Sequence, residues 1–161
     1  MIKLFTDTSA NLPLELIRRH GIKVVSFEYP VNGVAADYSE ETDFDGAAFY
    51  KAMRSGADVK TGLINMTKFN ESFEPELQAG NDVIYIGMSG GISGTAQAAV
   101  IAAGELTEKY PARKIVTIDT YAASLGEGLQ VLEAARMIEE GTGLDEIKAH
   151  LAADGVILHP Y

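Results

Sequence analysis

Short apolar runs alternate along the chain with longer, spaced apolar stripes. Residues 2–5 form an apolar run ending in Thr6-Asp7-Thr8-Ser9, the pattern of a strand that opens into a polar loop. Asn11-Leu12-Pro13 then opens a helix over about residues 14–20, with Asn11 or Leu12 near the cap, Pro in the first turn and Gly21 as the stop. Residues 23–27 read as a second strand, and residues 29–37, with Asn32-Gly33 inside them, as a short hairpin. Residues 43–55 read as a helix with Phe44, Ala47, Ala48 and Met53 on one face and Gly56 as its end. Residues 60–65 are irregular, and residues 67–77 helical, with Pro75 limiting the end.

The second half is more regular. A β-rich strand at 82–87, a loop at 90–93 and an Ala-rich helix over 94–109 lead to a strand at 114–118 that ends in Asp119-Thr120. Helices over 125–140 and 144–153 follow, then a short strand at 156–158. Strands alternating with helices imply parallel pairing through helical crossovers. The expected fold is α/β: a three-layer sandwich with a mostly parallel sheet.

Composition narrows the function. The chain has 161 residues, about one domain, and 47% of them are hydrophobic, enough for a core. Its net charge of −10 and lack of a Lys/Arg cluster exclude a phosphate-tracking nucleic-acid surface and disfavour anionic membranes. There is no cysteine, hence no disulfide, thiolate or cysteine-based metal site. His20, His150 and His159 are far apart, and no paired spacing points to a metal. Neither a signal pattern nor an apolar run of membrane-spanning length occurs, so the expected location is cytoplasmic, without stable membrane insertion. Nucleotide motifs are missing too, and no cofactor is expected.

Ligands of an open parallel sheet bind beyond the carboxyl ends of its strands. Thr6–Ser9, Ser89–Thr95 and Asp119-Thr120 fall there. Ser93 is the natural N-cap of the following helix, and Gly94 lets a ligand approach its free N–H groups, which suit a carboxylate or phosphate. Ser93 can equally be a cap and nothing more. Asp7 reads as a loop-ordering Asx turn.

An enzymatic alternative comes from Gly87-Met88-Ser89-Gly90-Gly91, a Gly-x-Ser-x-Gly pattern after a strand. With Asp119 and His159 it gives the Ser, Asp, His order of a serine hydrolase or esterase. Against it, a nucleophile elbow runs directly into its helix, whereas Gly90, Gly91 and Ile92 intervene here, and the chain is short for such a sheet and cap.

Taken together, the polar clusters resemble the DegV family of bacterial fatty-acid-binding proteins. Thr6-Asp7-Thr8-Ser9-Ala10-Asn11-Leu12-Pro13 is similar to the family's opening Thr-Asp-Ser-x-x-Asp-Leu-Pro. Thr61-Gly62-Leu63-Ile64-Asn65 stands at the place of Thr-Ser-Gln-Pro-Ser and keeps only its first residue. Ser89-Gly90-Gly91-Ile92-Ser93-Gly94-Thr95-Ala96-Gln97-Ala98-Ala99 resembles Ser-Ser-x-Leu-Ser-Gly-Thr-x-Gln-Ser-Ala, with Gly90 replacing the second Ser. Asp119-Thr120, with Ser124, Gly126 and Gly128, resembles the family's Asp-Ser segment.

The resemblance implies a carrier, not an enzyme, that holds a long-chain fatty acid in an apolar tunnel between two domains. Members of one branch present the acid to a separate fatty acid kinase. Carried over, Thr61 and Ser93 grip the carboxylate, with Gly94 and Thr95 supporting through their N–H groups. The two hydroxyls are expected to converge beyond the carboxyl edge of the sheet. Residues 1–161 then correspond to the N-terminal domain alone, and the second lipid-binding domain is absent from this chain.

Overall fold

The computed structural model describes residues 1–34 and 44–153. Its centre is a sheet of four parallel strands, β1 (Ile2–Asp7), β2 (Lys23–Val25), β3 (Asp82–Gly87) and β4 (Ile115–Asp119), in the order β2-β1-β3-β4. The register sets Phe5 opposite Lys23 and Tyr85, and Ile84 opposite Leu4 and Val116. Because all strands run the same way, Asp7, Val25, Gly87 and Asp119 end at one edge.

Successive residues of a strand face opposite sides, and both sides of this sheet are covered by helices. Leu4, Ile84, Ile86, Val116 and Ile118 pack with α1 (Leu14–Arg19), α5 (Leu125–Glu139) and α6 (Leu144–Ala153), through Ile17, Val131, Ala134 and Ile147 among others. Phe5, Val25, Val83 and Tyr85 pack on the other side with α3 (Met66–Gln78) and α4 (Thr95–Lys109), through Phe69, Phe73, Ala99, Ala102 and Leu106. The expected three-layer α/β sandwich is therefore present. The second layer is rich in rings: Phe69 and Tyr85 meet edge to face at 4.9 Å, and Phe5 and Phe73 at 5.0 Å. Such pairs contribute about 0.5–1.5 kcal/mol each beyond the area they bury.

The remaining helix, α2 (Gly46–Arg54), buries no residue completely. Its start is capped by the Asp45 carboxylate, which accepts the Ala48 N–H at 2.9 Å. Position 43, where the sequence suggested this helix begins, lies outside the described residues, as does the strand expected at 156–158.

Several boundaries and caps differ from the sequence reading. β2 stops at Val25 because the chain leaves the ladder for side-chain partners: the Phe27 N–H donates to Thr8 Oγ1 at 3.1 Å. α3, Met66–Gln78, is one residue longer at each end than expected; it passes Pro75, which lacks one donor, because Phe73 and Leu77 on either side are buried and hold it in place. α1 starts at Leu14 as expected, but its cap is Pro13, and Asn11 instead closes a 3-10 turn, Thr8–Ala10, in the left-handed conformation at φ 50°.

The hairpin is present in a minimal form. Val31 and Val34 exchange backbone hydrogen bonds of 2.9 and 3.0 Å across Asn32 and Gly33, both at positive φ, as a two-residue turn requires. The part beyond Val34 lies outside the described residues. Among the described residues no helix is long and apolar enough to cross a membrane.

Candidate functional site

A groove of about 480 Å³ opens at the carboxyl edge of the sheet, within the size range of small-molecule sites. Phe27, Tyr29, Phe44, Phe49 and Tyr50 make its aromatic side, where Tyr29, Phe44 and Phe49 touch one another at 5.2–5.8 Å. Leu63, Met88 and Ile92 add aliphatic surface, with Leu63 and Ile92 each about two-thirds exposed. The polar contribution is hydroxyls and one amide: Thr8, Ser9, Asn11, Thr61 and Ser93.

Thr61 is placed by its neighbours. The Lys60 N–H donates to the Pro30 carbonyl at 3.2 Å and the Gly62 N–H to the Glu28 carbonyl at 3.0 Å, so the segment lies along residues 28–30. Ser93 sits in the tight loop between β3 and α4. Its N–H and that of Ile92 both donate to the Ser89 carbonyl, at 3.1 and 3.0 Å. The structure thus sets Thr61 and Ser93, separated by the whole of α3 and β3, on the wall of the same groove.

Ser93 is not the N-cap residue. α4 starts at Thr95, and the cap position is Gly94, already in helical conformation and without a side chain. Ser93, one residue earlier, accepts the Thr95 N–H at 3.2 Å and lies 2.9 Å from Thr95 Oγ1. The Thr95 N–H is therefore engaged by Ser93 and not free for an anion. At Gly94 an added Cβ would meet Leu63 Cδ1 at 3.5 Å, an ordinary contact.

Beneath Ser9 lies a buried carboxyl pair that sequence reasoning missed. Asp7 accepts the Ser9 N–H at 2.8 Å, the expected Asx turn, and also the Tyr85 hydroxyl at 2.6 Å and the Met88 N–H at 3.3 Å. Glu127 of α5 is fully buried, accepts hydrogen bonds from the Ser9 and Thr6 hydroxyls, and is hydrogen-bonded to Asp7. Burial, reinforced by the charge of Asp7, pushes the Glu127 carboxyl up to about 9, against the opposing pull of the two hydroxyls. At neutral pH it is therefore protonated. Burial and the Asp7 charge likewise push the Tyr85 phenol up.

The hydrolase constellation does not assemble among the described residues. The Asp119 carboxylate accepts the Gly90 and Tyr121 N–H groups at 3.0 and 2.9 Å, and Ser89 Oγ accepts the Gly91 N–H at 3.2 Å. α4 begins at Thr95, well beyond Ser89, unlike a nucleophile elbow. His159 lies outside the described residues. No cluster of three or more His, Asp or Glu among them is placed to hold a metal ion.

A model of the DegV family, described as an uncharacterised protein family, matches residues 1–153. The chain belongs to the DegV family. It is 34% identical over 144 residues to a DegV domain-containing protein of Clostridium perfringens, covering 89% of this chain and 50% of that protein. Among solved structures, a DegV family protein from Thermus thermophilus described by its fatty acid binding superimposes with a TM-score of 0.78 at 32% identity, over 93% of this chain and 51% of that one. A stearic-acid-binding protein from Eubacterium ventriosum, at 22% identity and a TM-score of 0.82, shares the fold. This DegV chain spans about half the length of the curated relatives it matches.

Proposed function

We propose that this chain forms the carboxylate-gripping half of a fatty-acid carrier. The observation that carries the reading is the groove itself, an aromatic and aliphatic channel with Thr61 and Ser93 on its wall, in a chain 32% identical to a fatty-acid-binding relative. The acyl chain lies along the aromatic side, where each buried CH₂ contributes about 0.8 kcal/mol. The carboxylate takes hydrogen bonds from the Thr61 and Ser93 hydroxyls, with the Gly94 N–H supporting them, which offsets its desolvation. A second domain, in the half of the relatives that this chain does not match, closes the groove. Nothing in this arrangement breaks a bond in the ligand. The carrier presents its acid to a separate enzyme, such as a fatty acid kinase.

The test is extraction of the full-length protein after purification, with mass spectrometry of the extract for acyl chains. Long-chain fatty acid is expected with the wild type, and Ser93→Ala is expected to lower affinity for hexadecanoate about 10- to 150-fold, the range for a hydrogen bond to a charged group. A protein that retains no lipid, or Ser89-dependent cleavage of acyl nitrophenyl esters, overturns the reading.

A further inference from the structure

The two candidate ligand hydroxyls are tied to a third that does not line the groove. Thr95 is completely buried, and its Oγ1 lies 2.9 Å from Ser93 Oγ and 3.4 Å from the Ile64 nitrogen, whose N–H it accepts. Ile64 belongs to the segment that carries Thr61. One hydroxyl therefore joins the loop of Ser93 to the loop of Thr61.

A hydroxyl has one proton and two acceptor positions. Only one proton can occupy the line between Ser93 Oγ and Thr95 Oγ1, and its owner decides what Ser93 can do. If Ser93 supplies it, Ser93 has nothing left to donate to a ligand. Thr95 would then hold a buried proton with no acceptor among the described residues, which is costly. If Thr95 supplies it, both groups are satisfied. In that arrangement Thr95 accepts from Ile64 and would donate along the 2.9 Å line to Ser93, while Ser93, which accepts the Thr95 N–H, would keep its own proton for the groove.

We propose that Thr95 is a positioning residue of the carboxylate site: its hydroxyl turns the Ser93 proton toward the ligand and holds the Thr61 segment in register with it. The inference rests on the reading of Thr61 and Ser93 as carboxylate ligands. Thr95 acts through its side chain from behind Ser93, not through its N–H.

The test uses the full-length protein with Thr95→Val, which keeps shape and removes the hydroxyl, Thr95→Ser, which restores it, and Ser93→Ala. Cis-parinaric acid is displaced by hexadecanoate, or by 1-hexadecanol, which has the chain without the carboxylate. Thr95→Val is expected to weaken hexadecanoate about tenfold, to leave hexadecanol within about twofold, and to add nothing to Ser93→Ala in the double variant. Thr95→Ser is expected to bind hexadecanoate like the wild type. If Thr95→Val does not fold, Thr95→Cys, a weak donor of similar size, is expected to lose hexadecanoate selectively. Equal weakening of both ligands reduces Thr95 to a packing role and overturns the inference. A loss with Ser93→Ala and none with Thr95→Val overturns it while sparing the binding reading. No loss with Ser93→Ala removes the binding reading and the inference together.

Discussion

Two polar clusters at the carboxyl edge of the sheet are built on opposite plans. The Asp7–Glu127 cluster is sealed: Ser9 and Tyr85 direct their hydroxyls at the carboxyls, Thr6 makes its shorter bond, 2.8 Å, to the Ile86 carbonyl beside them, and the proton on Glu127 leaves one negative charge among several donors. The other, open cluster is the set of hydroxyls, Thr61 and Ser93 among them, that line the apolar groove. Carboxyl groups are the more conspicuous chemistry in a sequence, yet here they are the structural element. The modest hydroxyls of Thr61 and Ser93 are the ones that line the groove. Donors already matched inside the protein stabilise the fold, and in the proposed reading those on the groove wall meet the ligand.

Breaking the sealed cluster has the largest expected consequence. Asp7→Ala leaves the buried Tyr85 hydroxyl and two backbone N–H groups without their acceptor, and is expected to cost about 3 kcal/mol or more in urea unfolding. An unchanged midpoint would show that the cluster is not the structural one.

Glu127 gives the contrast a pH signature. It stays protonated in the folded chain up to about pH 9 but ionises near 4.5, its ordinary value, once unfolded. Between those values the unfolded chain has released a proton that the native one retains, so stability falls as pH rises, by at most about 1.4 kcal/mol per unit. Glu127→Gln, which cannot ionise, is expected to be more stable than wild type by about 2–3 kcal/mol at pH 8 and to lose that advantage at pH 4. Parallel stability curves from pH 4 to 9 would disprove the proton on Glu127.

Ser124, ahead of α5, sits at φ 55° and ψ −131°, a conformation tolerated mainly by glycine. Ser124→Gly is expected to raise thermal stability by about 1 kcal/mol; a loss would mean that the serine side chain holds α5 in place. The smallest expected effect belongs to the open cluster. Thr61→Val, at an exposed position, is expected to stay within about 0.5 kcal/mol of wild-type stability while hexadecanoate binding falls. A large loss of stability would erase the distinction between the clusters.

Much of the fold was legible because both faces of the sheet are covered. Apolar strands such as residues 83–86 stand out, and the stripe of Val131, Ala134 and Ala135 marks the buried side of α5. Thr61 and Ser93 were reachable through the family resemblance, and Ser93 also through its place after a strand. Glu127 left a signal that was passed over: it lies four residues before Val131, on the buried stripe, where an ionised side chain is out of place. The helix boundary at Thr95 was not legible, since Ser93 and Gly94 are both acceptable caps and only the turn onto the Ser89 carbonyl decides between them. The aromatic side of the groove was equally hidden, because Tyr29 and Phe49 meet only after the chain has folded back.

The strand order has a consequence for how the chain is made. Of the four described strands β1 is made first and ends up in the interior of the sheet, and of its two neighbours there only the three-residue β2 is made before β3. Its other partner, β3, begins at Asp82, and at about 5–20 residues per second a ribosome needs roughly 4–16 s to reach it. Through that interval Leu4 and Phe5 have no β3 to pair with, and Asp7 waits for the Tyr85 hydroxyl. Until β3 is made, the inner edge of β1 is left unpaired and open to other chains.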